Sequence, residues 1–404
     1  MTLTQVATAA RTPLPRDFKK WFCGTIIATT GNVAFSVTLQ WTATTHGGIV
    51  AGVVLACGTV PQMILLPIGG AVADRVGVRR VMLITLVSEV LASLSLAAVV
   101  VAAGPAVWVL ISYSTIIGAG NGFHLPATTS MVRRLVEKDQ LPRAHATQKA
   151  GQQMAAFAGA PLGGLMATAG GLVGAALINA MACVLVIVTL LGVRPALTPP
   201  PSEPRASLGR EVRDGILLAA RDPLLRPSLL VMAATAAFFA PVAPLLTPLL
   251  VRMHHWEATA VGWLMASQGM AFFLLAILIS RRGALRRLGL TSAAGIAAMG
   301  VGVGIIALTP TLAVGIAGAS VAGLGYGLAA THLTPLVINA SPHSHLSRTA
   351  AAMTLVQNLS VVMTFALAGG LAEATDPGTI ALIDGLLLTA IGIAALTSRS
   401  FRRA

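Results

Sequence analysis

Twelve long apolar runs constrain this chain more than any other feature. They fall at 21–45, 48–72, 78–103, 105–130, 146–168, 171–193, 227–251, 258–280, 288–309, 311–337, 348–372 and 378–397, each bounded by charge, Pro or Gly. About 20 mostly apolar residues carry a helix through a bilayer. The short in–out alternation of a β-barrel is absent, so the expected class is an all-α membrane protein. The first run is longer than a signal core and is followed by eleven more, so it reads as a span rather than a cleaved leader. Composition agrees: 10% of residues are charged and 55% apolar, with a mean hydropathy of +0.83. A soluble chain carries about 25% charged residues.

The charges sort by connection. With the N-terminus inside, the connections 1–20, 73–80, 131–149, 194–226, 281–287, 338–348 and 398–404 hold 26 of the 27 Lys and Arg residues, and only Arg252 falls outside. Such an excess marks cytoplasmic loops. Both termini are therefore expected in the cytoplasm, with the chain in the inner membrane. The net charge of +14 is then an orientation signal. A nucleic-acid surface would instead cluster these residues on one folded face. Cys23, Cys57 and Cys183 sit in or beside apolar runs and make neither a disulfide framework nor a metal site. The histidine pairs His254-His255 and His343/His345 lack further ligands at metal spacing, so no metal and no cofactor are expected.

The connection 194–226 separates six spans from six, giving an N-terminal bundle over 1–193, a linker over 194–226 and a C-terminal bundle over 227–404. Pro199, Pro200, Pro201 and Pro204 extend the linker, and 208–220 reads as a short amphipathic helix, on the membrane surface or in solvent. A shift of 205 residues superposes Gly120 and Gly122 on Gly325 and Gly327, Arg143 on Arg348, Gln152-Gln153 on Gln357-Asn358, Gly164 on Gly369 and Asn179 on Asp384. Arg75, Arg79 and Arg80 find a displaced echo in Arg281-Arg282 and Arg286-Arg287. Repeated halves around a central site are common among secondary transporters.

Between spans 2 and 3 stands Gly69-Gly70-Ala71-Val72-Ala73-Asp74-Arg75-Val76-Gly77-Val78-Arg79-Arg80. Gly70 and Gly77 permit close approach and a tight turn. Asp74 can accept from an Arg or from helix N-terminal N–H groups, a latch that releases on rocking. The segment resembles the loop motif G-x-x-x-D-R-x-G-R-R of the major facilitator superfamily at Gly70, Asp74, Arg75, Gly77, Arg79 and Arg80. The resemblance extends over the whole chain and implies twelve spans in two pseudo-symmetric six-helix bundles. Ala156, Ala160, Pro161, Gly163 and Gly164 resemble the fifth-span packing motif of the exporter branch, with Ala replacing Gly at 156 and 160. Small residues there let helices press together and Pro161 bends the span. Residues 121–184 look most like the bacterial exporter group of macrolide-efflux and enterobactin-exporter proteins. Drug–proton antiporters often carry an Arg in span 4, whereas 106–130 holds no charge.

The resemblance implies a cavity lined by spans 1, 4, 7 and 10. The candidates are Thr29, Asn32, Ser36 and Gln40 in span 1, Asn121 and His124 in span 4, Phe238 in span 7, and Tyr326 and His332 in span 10. Gln152 from span 5 and Gln357 and Asn358 from span 11 complete the set, for which interhelical hydrogen bonding is the competing role. Pro241, Pro244 and Pro248 free carbonyls in span 7, and Asn339 adds an amide to span 10. Glu89 and Asp384 are the acids well inside spans. An ionised side chain there costs about 2.5–3.5 kcal/mol on insertion scales, so each is a candidate for proton coupling, as is Asp74 in the gate, with structural pairing as the competitor. Trp21, Trp41, Trp108, Trp256 and Trp263 lie near span ends and read as interface anchors.

The expected activity is export of a small amphiphilic molecule such as a drug, antibiotic or siderophore by alternating access, driven by proton antiport. Uptake, or movement of a lipid-like molecule, is the alternative within transporters. A receptor or scaffold is the alternative outside them. No phosphate-binding G-x-x-x-x-G-K-[ST] run supports a primary pump, and no clustered catalytic set supports an enzyme. The expected partners are the cargo, protons and the bilayer, with no nucleic acid. A monomer is expected, since the fold needs no second copy.

Overall fold

The computed structural model describes residues 13–193, 225–282, 287–340, 346–398 and 401. The expected surface helix at 208–220, the basic residue Arg286, His343 and His345, and the side chains of Arg282, Asn339 and Arg348 lie outside the described residues. The described chain folds into twelve long helical segments, α1 to α12. In the first half these are α1 (Arg16–Ala43), α2 (Gly48–Val76), α3 (Val78–Ala103), α4 (Val107–Leu135), α5 (Leu141–Ala169) and α6 (Gly171–Leu191). In the second they are α7 (Leu225–Met253), α8 (Ala258–Arg282), α9 (Leu288–Ala307), α10 (Leu312–Ala340), α11 (Leu346–Ala374) and α12 (Pro377–Thr397). Ten of them are long and apolar enough to cross a membrane. The other two, α4 and α5, are each 29 residues long and more polar, carrying residues such as Arg133, Arg134, Gln152 and Gln153.

Two compact units result: Met1–Thr42 with Cys57–Glu203, and Ala43–Ala56 with Pro204–Ala404. In the first, an aromatic and aliphatic core gathers Phe18, Trp21, Met82, Met131 and Leu190. Trp21 lies 5.9 Å from Phe18 and is fully buried, so it is a core residue rather than the expected interface anchor. It belongs to the apolar cluster that includes Met82, Met131 and Leu190. Trp108 and Trp263 are exposed, as an anchor would be.

Small residues set the helix contacts. A Cβ on Gly159 would meet Thr30 O and one on Gly163 would meet Ala34 O, so α5 lies on the backbone of α1. Thr38 Oγ1 donates across that seam to Gly163 O at 3.0 Å. The repeat is visible in the same terms. Gly118 and Gly122 of α4 press on Gly58 and Leu65 of α2 in the first unit, and Gly323 and Gly327 of α10 press on Gln268 and Leu275 of α8 in the second. The α4 and α10 members are 205 residues apart and their partners 210 apart. In the second unit α9 also lies against α12, where Gly300 faces Gly385 O and Thr389 N, and Gly392 faces Ala297.

In α7 the prolines widen the helix into a π turn over Val242–Leu246. Leu246 N reaches back five residues to Pro241 O at 2.9 Å, and Thr247 Oγ1 donates to Val242 O at 2.8 Å. Pro244 and Pro248 have no N–H to donate, which interrupts the regular i to i−4 ladder where the π turn forms. The first part of α2 belongs to the second unit. There Gly48 and Gly52 lie against Gly369 and Phe365 of α11. Ile49 N donates to Glu373 Oε2 at 2.9 Å, and Arg252 Nε donates to Thr44 Oγ1 at 2.6 Å.

Candidate functional site

The first unit holds a polar cluster between α1, α3, α4 and α6. Thr85, Glu89 and Ser93 are spaced by four, which stacks them on one face of α3. Glu89 Oε1 accepts from Asn32 Nδ2 of α1 at 2.9 Å and from Asn179 Nδ2 of α6 at 3.2 Å. Asn179 Nδ2 also donates to Ser93 Oγ at 3.3 Å, and Ser93 Oγ lies 3.3 Å from Tyr113 Oη of α4. Thr85 Oγ1 lies 2.9 Å from His124 Nδ1. Thr85, Ser88, Glu89, Asn121 and His124 share a cavity of about 10 Å³. A carboxylate, an imidazole, a phenol and three amides thus converge inside the membrane-spanning part of one bundle. Two amides and the hydroxyl chain compensate the cost of placing Glu89 there.

Other candidates stand apart from this cluster. Thr29 and Ser36 donate back to Thr25 O and Val33 O at 2.8 Å each. Gln40 is buried, and its Oε1 finds no hydrogen-bond partner among the described residues. Gln152 is half-buried on α5, while Gln357 is exposed and Asn358 half-buried on α11. In the second unit Tyr326 stacks on Phe239 at 5.2 Å and leans on Phe272 at 5.4 Å. Phe238, the aromatic expected from α7, is half-buried beside Phe239. His332 is fully buried, with Nδ1 at 2.9 Å from both Thr331 Oγ1 and Leu328 O. Asp384 is buried in α12, and its Oδ2 has no hydrogen-bond partner among the described residues.

At the turn between α2 and α3, Gly77 is the single residue between the helices and has φ +103°. Only glycine takes that conformation cheaply. Gly70 is in ordinary contact with Pro126. Asp74, Arg75 and Arg80 are exposed. Arg79 donates from Nε to Leu190 O at 3.1 Å and from Nη2 to Leu191 O at 2.7 Å. This guanidinium of the motif thus caps the C-terminal carbonyls of α6, where the helix dipole is negative. Of the span 5 motif, Ala160, Gly163 and Gly164 are buried, while Ala156 and Pro161 are half-buried. Gly163 makes the closest contact with α1, and Gly159, outside the expected set, joins it one turn away.

Several members of the cluster escape a reading by span number. Ser93, Tyr113 and Thr85 are missed because spans 3 and 4 look apolar in bulk. The spacing of four between Thr85, Glu89 and Ser93 is the signal that exposes them. Asn179 is marked only as the counterpart of Asp384 in the repeat.

The profile of the Major Facilitator Superfamily matches residues 21–365. The multidrug efflux pump Tap of Mycolicibacterium fortuitum is 25% identical over 392 residues, covering 92% of this chain and 93% of that protein. Among solved structures, a nucleoside transporter has a TM-score of 0.77 at 11% identity, covering 94% of this chain and 99% of its own. A peptide transporter of the POT family has a TM-score of 0.76 at 14% identity over 100% of this chain and 99% of its own. These structural likenesses speak to the fold.

Proposed function

This chain belongs to the major facilitator superfamily of transporters, and on that premise we propose that it exports a small amphiphilic molecule across the inner membrane, driven by proton entry. One observation carries the reading: Glu89 of α3 holds Asn32 of α1 and Asn179 of α6 through a single carboxylate oxygen. An ionised carboxylate only accepts hydrogen bonds, and a protonated one also donates. Protonation at Glu89 adds a donor beside the oxygen that Asn32 and Asn179 share, and α1 is a helix on which cargo-facing polar residues are expected. His124 shares the small cavity with Glu89, and a volume of about 10 Å³ admits roughly one water to pass a proton between them. The stack of Phe239, Tyr326 and Phe272 offers an apolar platform with one hydroxyl, suited to an amphiphile. Similarity to a multidrug efflux pump along nearly the whole chain supports the outward direction. The distribution of Lys and Arg supports cytoplasmic termini.

The test is drug transport in everted vesicles energised by respiration, with and without a protonophore. Wild type is expected to accumulate cargo only while the gradient stands. Glu89→Gln is expected to lose gradient-driven accumulation at least tenfold yet retain cargo-for-cargo counterflow, because the amide preserves the shape of the site and cannot take up a proton as a carboxylate does. Equal gradient-driven transport by wild type and Glu89→Gln would remove this residue from coupling. The absence of any gradient-dependent flux across a panel of antibiotics and siderophores would end the export reading.

A further inference from the structure

A second cavity lies in the same bundle, next along α3 from the first, at the inner ends of α3, α4 and α6. Its volume is about 390 Å³, and it is lined by Val76, Gly77, Val78, Arg79, Arg80, Leu83, Arg134 and Leu191. Three of these are arginines, and none of the described lining residues is acidic. Asp74, close in sequence, is exposed and is not part of the lining.

The three guanidinium groups are in different situations. Arg79 is committed to the carbonyls of Leu190 and Leu191. Arg80 is exposed. Arg134 is half-buried, and its Nε–H is buried with no acceptor among the described residues. A buried guanidinium N–H without an acceptor is costly, and a planar fork of donors matches phosphate oxygens best. The rest of the lining is apolar. Leu191 is 57% exposed and Val76 45%, and the apolar face continues along the spans through Ile84, Val87 and Val188, all exposed to lipid. A charged mouth above an apolar, lipid-facing track suits a molecule with an anionic head and acyl chains. A small soluble anion would make no use of that track.

We propose that this pocket binds the phosphodiester headgroup of an anionic membrane lipid, with Arg134 and Arg80 on the phosphate and the acyl chains along α3 and α6. The site needs the membrane and not the direction of transport, so it stands or falls separately from the export reading. A bound lipid there tethers the one-residue turn at Gly77 to the end of α6. The chemistry it recognises is a phosphate-bearing anion, which free phosphate shares.

The test uses the full chain purified in detergent and native mass spectrometry. Cardiolipin, phosphatidylglycerol and phosphatidylethanolamine are titrated separately, with inorganic phosphate as competitor. Wild type is expected to retain the two anionic lipids in preference to phosphatidylethanolamine, and excess phosphate is expected not to displace them. Arg134→Gln is expected to weaken anionic lipid binding about tenfold or more, the scale of a lost hydrogen bond to a charged group. Arg133→Gln removes the same charge from the exposed neighbouring position and is expected to have little effect. Val76→Trp fills the pocket without changing charge and is expected to reproduce the loss. It keeps the proposal testable if Arg134→Gln does not fold. Equal losses in Arg133→Gln and Arg134→Gln would reduce the effect to general surface attraction and overturn the site. Retention of lipid by Val76→Trp, equal binding of phosphatidylethanolamine, or displacement by phosphate would each overturn it as well.

Discussion

Glu89 shows what a single residue can reveal. In the sequence it is one acid in an apolar run, a candidate coupling group with structural pairing as the competing role. In the fold it touches Asn32 and Asn179, two amides more than fifty residues away along the chain on either side. Asp384 has the opposite situation, buried with one oxygen lacking a partner among the described residues, although the repeat aligns it with Asn179. The shift of 205 residues puts Ala294 opposite Glu89 and Asn179 opposite Asp384, so the two halves carry their buried acids at different places. Asp376 illustrates the local scale further. It caps α12, accepting from Thr379 N at 2.7 Å and from the Thr379 hydroxyl. Those bonds from the Thr379 hydroxyl and backbone N–H pull its carboxyl below the ordinary value. The folded group titrates lower than the unfolded one. Its contribution is therefore complete above the unfolded value of about 3.9 and is lost as pH falls through the folded value. Asp376→Ala is expected to cost about 1 kcal/mol at neutral pH. Asp376→Asn is expected to keep most of the cap and remove its acid dependence. Thermal unfolding in detergent at neutral and acid pH reads both.

At the scale of elements, the helices are placed by where side chains are missing. The α5–α1 seam depends on Gly159 and Gly163, spaced by four, and on the hydrogen bond from Thr38 to Gly163 O. Gly163→Leu puts a side chain into the α1 backbone and is expected to destabilise by about 1–3 kcal/mol, as overpacking does. The measurement is the melting temperature in detergent, and an unchanged value would mean that α5 can move aside. The sequence motif points to α5 as a packing helix and to Gly163. It does not reach Gly159, because the family pattern places its small residues at 156 and 160. Span 7 is the better-read case: Pro241, Pro244 and Pro248 announce an interruption, and the π turn with Thr247 closing on Val242 O is how the backbone answers it. Arg79 runs the other way. The motif places it in a cluster with Asp74, Arg75 and Arg80, and the end of α6 supplies its two acceptors, Leu190 O and Leu191 O.

Across the whole molecule, the asymmetry of basic residues carries a topological prediction. A fluorescent protein fused to either end is expected to fold and fluoresce, and a periplasmic phosphatase fused after His255 is expected to be active. Activity of the phosphatase at the C-terminus would reverse the orientation. The apolar runs, their charged boundaries and the Gly77 turn were legible in the sequence by themselves, because hydrophobic length and the side-chain demands of a turn are local quantities. They determined an all-α membrane chain of twelve spans and, with the loop motif, its superfamily. Only the tertiary structure decided which polar groups meet. It joined Glu89 to Asn32 and Asn179, buried Trp21, turned Arg79 to α6 and gathered Arg79, Arg80 and Arg134 around one cavity. Those outcomes depend on helix rotation and on which helices are neighbours. Packing of small residues sets both, and no local run of sequence encodes either.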